Sequence, residues 1–485
     1  MSFRTIFQKI NNGYLFLFSF LIVFVVTPLF QKGVFGDGLM YLTVAFNRYK
    51  EYGSFWRQHY SETSMSFFCE QPPLYFESLG WFYKLFGGAE IAEKFFTLTL
   101  ALLTIFLLGR IWNKLTAQKN KGLAWLPSML LFCVPVFAWA FCNQVIETMV
   151  VPAALGAFYL LLVFMDSLGI KKLFSFIGFC ATLLVLFLIK GIQSDFLAAA
   201  LFLAAVSARA KEFGKIVIQG VLMLLFFGGL FTLVFLLNEN AHYWLMSYFD
   251  KRIVATFNDT GATAAHHIDI VTRYFSELLP VLGFFILVSL YLSVAKKYPV
   301  RKQLKNFASN KKALWLVLIS LSASLPMAVT LEQRGFYLSP AFPFAILALC
   351  LYYRKYLFLL FGRLARKREK MWFVMAGIVL ASSIIFFIFN REGYKRDEGT
   401  IRDVAEMKKI FASGEIIGIN PSTWNTFSLH SYLNKANDNS LFVTDTARFF
   451  IQEKENREQI PGNYDKMNIA TSAVDVYSRR EYPNK

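Results

Sequence analysis

Apolar and polar stretches alternate along this chain with a long period. Apolar runs occupy residues 13–30, 95–113, 123–142, 148–165, 173–189 and 196–208, then 215–238, 276–295, 313–331, 337–353 and 371–389. Most approach the roughly 17 to 25 residues that a helix needs to cross a bilayer. In lipid every backbone group must be paired within the structure, which makes such runs helices. The pattern predicts an all-α polytopic membrane protein of about eleven transmembrane helices. From about residue 390 the long runs stop. Residues 415–420, 428–435 and 440–444 read as strand, helix and strand. A small α/β domain is therefore expected over 390–485, following a transmembrane domain over 1–389.

Charge orients these spans. Lys and Arg gather in alternate loops: Arg110, Lys114, Lys119 and Lys121; Lys171 and Lys172; Arg209, Lys211 and Lys215; Lys296 through Lys312; and Arg354 through Lys370. Such loops face the cytoplasm. The N-terminus is then cytoplasmic, and residues 31–94, 143–147, 190–195, 239–275, 332–336 and the C-terminal domain are extracytoplasmic. The first outer loop is long and mixes aromatic, polar and turn residues, more than a helix connector requires. Localisation in a bacterial inner membrane, with the C-terminal domain in the periplasm, is the resulting expectation.

Composition narrows the function classes. With 56% hydrophobic and 17% charged residues and a mean hydropathy of +0.45, the chain is not an ordinary soluble protein. Its formal charge of +18 is explained by topology, so no nucleic-acid partner is expected. The five cysteines show neither disulfide nor zinc spacing. Arg4 and Lys9 precede the first run without a small-residue cleavage signature, which suggests a retained span.

Several residues could carry chemistry. Directly after the first run comes Gly36-Asp37-Gly38-Leu39-Met40-Tyr41, a carboxylate at the membrane surface beside glycines that allow close backbone approach. Asp37 is the first candidate base, and a helix N-cap is the alternative. In Cys69-Glu70-Gln71-Pro72-Pro73-Leu74-Tyr75 the paired prolines fix the direction of Glu70, unless the segment is simply a helix entry. Lys190 and Arg334 are cations on the outer side, against the charge bias, where a phosphate would need them or where they would snorkel to headgroups. His266 and His267 stand together in an outer loop and, with Glu70, could approach a divalent metal. Adjacent histidines on a helix point apart, so both binding one ion is not expected; an interfacial hydrogen-bonding role is the alternative.

The order of these pieces resembles the C-type membrane glycosyltransferase superfamily, that of protein O-mannosyltransferases and aminoarabinose lipid A transferases. The resemblance covers roughly residues 10–355. It includes Leu85-Phe86-Gly87, then Glu90-Ile91-Ala92-Glu93-Lys94 leading to Leu108-Gly109-Arg110, with Ile146-Glu147-Thr148-Met149 at the second acidic position. Leu188-Ile189-Lys190-Gly191 is similar to a Thr-Lys-Gly element. Arg334-Gly335-Phe336-Tyr337-Leu338-Ser339-Pro340-Ala341-Phe342-Pro343 resembles an Arg and Tyr-Leu-x-Pro-Ala-x-Pro segment. This chain departs from the pattern at Gln71, where many members have Lys, at Glu147, where Asp is usual, and at Gly38, where an acidic residue is frequent.

The resemblance implies an inverting transfer of a sugar from a polyprenyl-phosphate donor to a hydroxyl or phosphate of a lipid, glycan or protein acceptor at the outer face. Asp37 would act as base and Glu147 would position a substrate. Tyr41, Glu70, Gln71, Lys190, His266, His267, Arg334 and Tyr337 would contact substrates. No cofactor is expected other than a divalent metal near Glu70 and His266. Membrane lipids are expected partners. Two rivals remain: a lipid or glycolipid transporter or flippase, which would show internal repeats and broken helices at the midplane, and an inactive scaffold of the same fold.

Overall fold

The computed structural model describes residues 12–117, 121–206, 210–255, 263–295, 297–367, 369–456 and 458–480. Arg4, Lys9, Lys119, Arg209, Lys296, Arg368 and residues 256–262 lie outside them. Among the described residues nine helices are long and apolar enough to cross a membrane.

Two places explain how nine such helices relate to the about eleven runs in the sequence. The run over 123–142 forms two short helices, Leu126–Phe132 and Pro135–Cys142. Pro135 has no N–H to give and biases its predecessor away from helix; Val134 is accordingly extended at φ −75°, ψ 117°. The runs over 173–189 and 196–208 share one assigned stretch, Gly169–Val206. The chain nevertheless reverses within it, at Gly191, which has φ +74°. The Ser194 hydroxyl donates to the Leu186 carbonyl at 2.7 Å, eight residues back. In a continuing helix those residues would be about 12 Å apart along the axis. The second limb returns into the bundle, where Trp315 Nε1 donates to the Ala200 carbonyl at 2.8 Å. A Cβ at position 191 would lie 2.2 Å from the Tyr248 hydroxyl, so both conformation and space require glycine here.

The first loop forms two helices, Gly36–Tyr49 and Leu74–Leu85, packed on each other at one end of the bundle. Beyond Asn390, the last residue of the last span, five strands form one sheet: β1 Ile416–Ile419, β2 Ser440–Val443, β3 Phe449–Glu453, β4 Tyr464–Lys466 and β5 Val474–Arg479. Their order is β2-β1-β3-β5-β4, parallel from β2 to β3 and antiparallel from β3 to β4. Helices Glu398–Met407 and Phe427–Asn437 supply Val404, Met407, Leu429 and Leu433 to its core.

This domain docks on the first loop. Asn47 Nδ2 donates to Asn434 Oδ1 at 3.1 Å, Lys50 pairs with Asp438 at 2.6 Å, and the Tyr60 and Ser431 hydroxyls bond at 2.7 Å. The Gly36–Tyr49 helix is thereby held between the bundle and the C-terminal domain.

Candidate functional site

Asp37 occupies the first turn of the Gly36–Tyr49 helix, whose N-cap is Phe35. It therefore makes no N-cap, and its carboxylate faces the positive end of the helix. The start of this helix is fixed by the short loop after Cys142: the Phe35 amide donates to Asn143 Oδ1 at 3.1 Å. A Cβ on Gly38 would come within 1.9 Å of the Asn143 carbonyl oxygen. The acidic residue frequent at this place in the resembling family has no room here.

Beside Asp37 stands Arg334, with Nε 3.6 Å from Oδ2. Among the described residues no hydrogen bond at ordinary length fills the Asp37 carboxylate. Burial raises its pKa above that of an ordinary aspartate, and the Arg334, Lys190 and Arg252 charges oppose the rise. Tyr41, one turn along, is buried with its ring edge-on to Tyr75 and Phe76. Burial and the Asp37 charge push its phenol well up.

A chain of contacts extends inward. Glu147 begins the helix Glu147–Asp166 and Lys190 ends the helix Gly169–Lys190, so both reach the same end of the bundle. They form a buried ion pair through Glu147 Oε1, while Oε2 has no partner. Lys190 Nζ also lies 4.3 Å from the centre of the Tyr337 ring. The Tyr337 hydroxyl donates to Glu332 at 3.2 Å and accepts from Arg252 at 3.4 Å. Arg252 and Glu332 are themselves ion-paired. Burial raises the Glu70 carboxyl pKa, with Arg252 pulling it down, and Asp37 and Glu332 are close enough to add to the rise.

Two cavities open beside this chain. One of about 510 Å³ is lined by Gln71, Lys190, Asp195, Tyr248 and Arg252. The other, of about 460 Å³, is lined by Phe35, Trp139, Arg273, Glu277 and Arg334. Asp37, Tyr41, Gln71, Glu147, Lys190, Arg334 and Tyr337 thus belong to one neighbourhood.

The two histidines stand at the surface. His266 and His267 are exposed, held through their backbones to Asp269 and Gln333. Among the described residues no three His, Cys, Asp or Glu side chains gather to hold a metal ion. Arg252 and Glu332 are among the charged residues that sequence reasoning missed, as are Asp195, Arg273 and Glu277 of the cavity walls. Arg252 and Glu332 meet across 80 positions, and only Arg252's place in a loop that the charge pattern assigns to the outer side could have drawn attention to it.

The architecture has known counterparts. The structure of ArnT from Cupriavidus metallidurans bound to undecaprenyl phosphate matches with a TM-score of 0.67 at 12% identity, over 96% of this chain and 97% of that one. The apo structure of the same protein gives 0.65 at 12% identity with the same coverage. The chain has the ArnT fold. Nearly the whole length takes part, including the C-terminal sheet domain. No protein-family model and no curated protein matches the sequence. At 12% identity the ArnT likeness is carried by backbone arrangement, which in turn depends on where the apolar runs fall.

Proposed function

We propose that the protein is an inverting glycosyltransferase that moves a sugar from a polyprenyl-phosphate donor to a hydroxyl or phosphate of a lipid, glycan or protein acceptor. The observation that carries this reading is Asp37, a carboxylate at the helix start with unused acceptor capacity, 3.6 Å from Arg334 and beside Lys190 and Arg252. The ArnT fold supports it, since a structure of that fold holds undecaprenyl phosphate.

For a hydroxyl acceptor, Asp37 takes its proton as the acceptor oxygen bonds to the anomeric carbon. The bond from that carbon to the phosphate oxygen breaks, and its electron pair leaves with the lipid phosphate. One displacement inverts the centre. The leaving phosphate is already a stable anion and needs compensating charge, which Arg334, Lys190 and Arg252 supply where charge develops. Glu147 acts through Lys190 by fixing its ammonium. In this reading Gln71 and Tyr41 hydrogen-bond the sugar, and Tyr337 holds the cations in position. The donor's lipid cannot leave the bilayer, and a site at the end of the bundle meets it at headgroup level.

A panel of radiolabelled polyprenyl-phosphate sugars, offered with lipid and glycan acceptors, tests this. Release of lipid phosphate from one donor class is expected, and parallel reactions with a chelator test the metal near Glu70. No release from any donor would favour a transporter or an inactive scaffold.

A further inference from the structure

The Gly36–Tyr49 helix has a second face that the proposed reaction does not use. Leu39, Leu42 and Phe46 lie on it, and Asp37 and Tyr41 lie on the opposite face, by helical spacing. Behind Leu39, Leu42 and Phe46 is a cavity of about 540 Å³. Phe30 and Ile91, the adjoining ends of the first two spans, form its base, which sets it where hydrocarbon gives way to headgroups. The C-terminal domain covers it.

The charged lining consists of Lys32, Lys94, Lys408 and Lys435 against Glu90 and Glu93. Lys435 is ion-paired with Glu93, whose carboxylate also accepts from the Tyr83 hydroxyl, so those two charges cancel. Lys32, Lys94 and Lys408 then outnumber the remaining acid, Glu90, with Glu93 also within electrostatic reach of Lys94. Lys32 lies 5.2 Å from the Tyr394 ring centre, while the side chains of Lys94 and Lys408 make no ion pair or hydrogen bond among the described residues. Unmatched positive charge over apolar walls, at headgroup depth, suits a phosphodiester joined to glycerol and the first acyl carbons. Free phosphate would leave the apolar walls unused.

We propose that this cavity holds the headgroup of an anionic phospholipid, wedged between the C-terminal domain and the helix that carries Asp37. The test reads bound lipid, so its outcome is separate from whether sugar transfer is found. Full-length protein in detergent is given phosphatidylglycerol or phosphatidylcholine, and retained lipid is measured by native mass spectrometry. Wild type should prefer phosphatidylglycerol, and Lys94→Gln with Lys408→Gln should weaken its retention about tenfold. Lys408→Gln alone, at an exposed position that folding tolerates, should show part of that loss and decides the matter if the double variant is not monodisperse. Glycerol 3-phosphate should not compete. Equal retention by wild type and variants, equal retention of phosphatidylcholine, or displacement by glycerol 3-phosphate would overturn the proposal.

Discussion

Asp403 in the C-terminal domain is buried and Asp37 at the end of the bundle is half-buried, and the two aspartates are treated in opposite ways. Asp403 is 1% exposed and accepts from the Ser472 amide and hydroxyl at 2.7 and 3.0 Å, and from the Ala473 and Val474 amides at 2.6 and 3.0 Å. Its four acceptances tie β5 to the helix Glu398–Met407, and nothing is left for a ligand. Asp37 has one cation at 3.6 Å and otherwise unused acceptor capacity. A carboxylate that holds a fold is saturated by it, and one left unsaturated among cations is available for chemistry. Glu147 falls between, with one oxygen on Lys190 and the other unpartnered.

That contrast can be broken first at its intermediate member. Lys190→Met leaves the Glu147 carboxylate buried without its cation, and should cost roughly 3 to 5 kcal/mol of stability. A thermal melt in detergent checks it, and an unchanged midpoint would mean that the pair is not a structural element. Asp403→Ala strands three amides and a hydroxyl. A loss of about 3 kcal/mol or more is expected, seen as proteolytic release or early melting of the C-terminal domain.

Smaller effects sharpen the description of Asp37. Burial raises its pKa, so the acid limb of kcat/KM against pH should lie above that of an ordinary aspartate. Arg334 opposes that rise, and Arg334→Gln should move the limb further up. A limb that stays or moves down would separate Arg334 from the titrating group. Smallest of all, His266→Ala and His267→Ala should leave donor-phosphate release within about twofold, because exposed side chains held only by their backbones contribute little.

How far the sequence foretold this differs between regions for physical reasons. Bilayer spans need long apolar runs, so their positions are written directly in composition; the reversal at Gly191 is not, since an apolar helix and an apolar turn between packed limbs look alike. In the C-terminal domain, β1, β2 and the helix between them agree with the expected strand, helix and strand. β3, β4 and β5 did not stand out, because three to six residues such as Tyr464-Asp465-Lys466 carry too little alternation. Around the site, Asp37, Glu147, Lys190 and Arg334 are recognisable because polar residues at span ends are conspicuous. The Arg252–Glu332 pair and the clash that keeps Gly38 bare arise only when distant segments meet.

Asp37→Asn tests the central claim most directly. Burial raises the Asp37 pKa, so folding favours its protonated form, and the cost of the ionised form appears as pH rises through the folded pKa. Removing that charge should leave the melting midpoint at neutral pH equal or higher. In the same preparation, release of lipid phosphate from the donor that wild type uses should fall at least about a hundredfold. Wild-type release rates in a variant of unchanged stability would contradict the account, since Asp37 would then be no more chemical than Asp403.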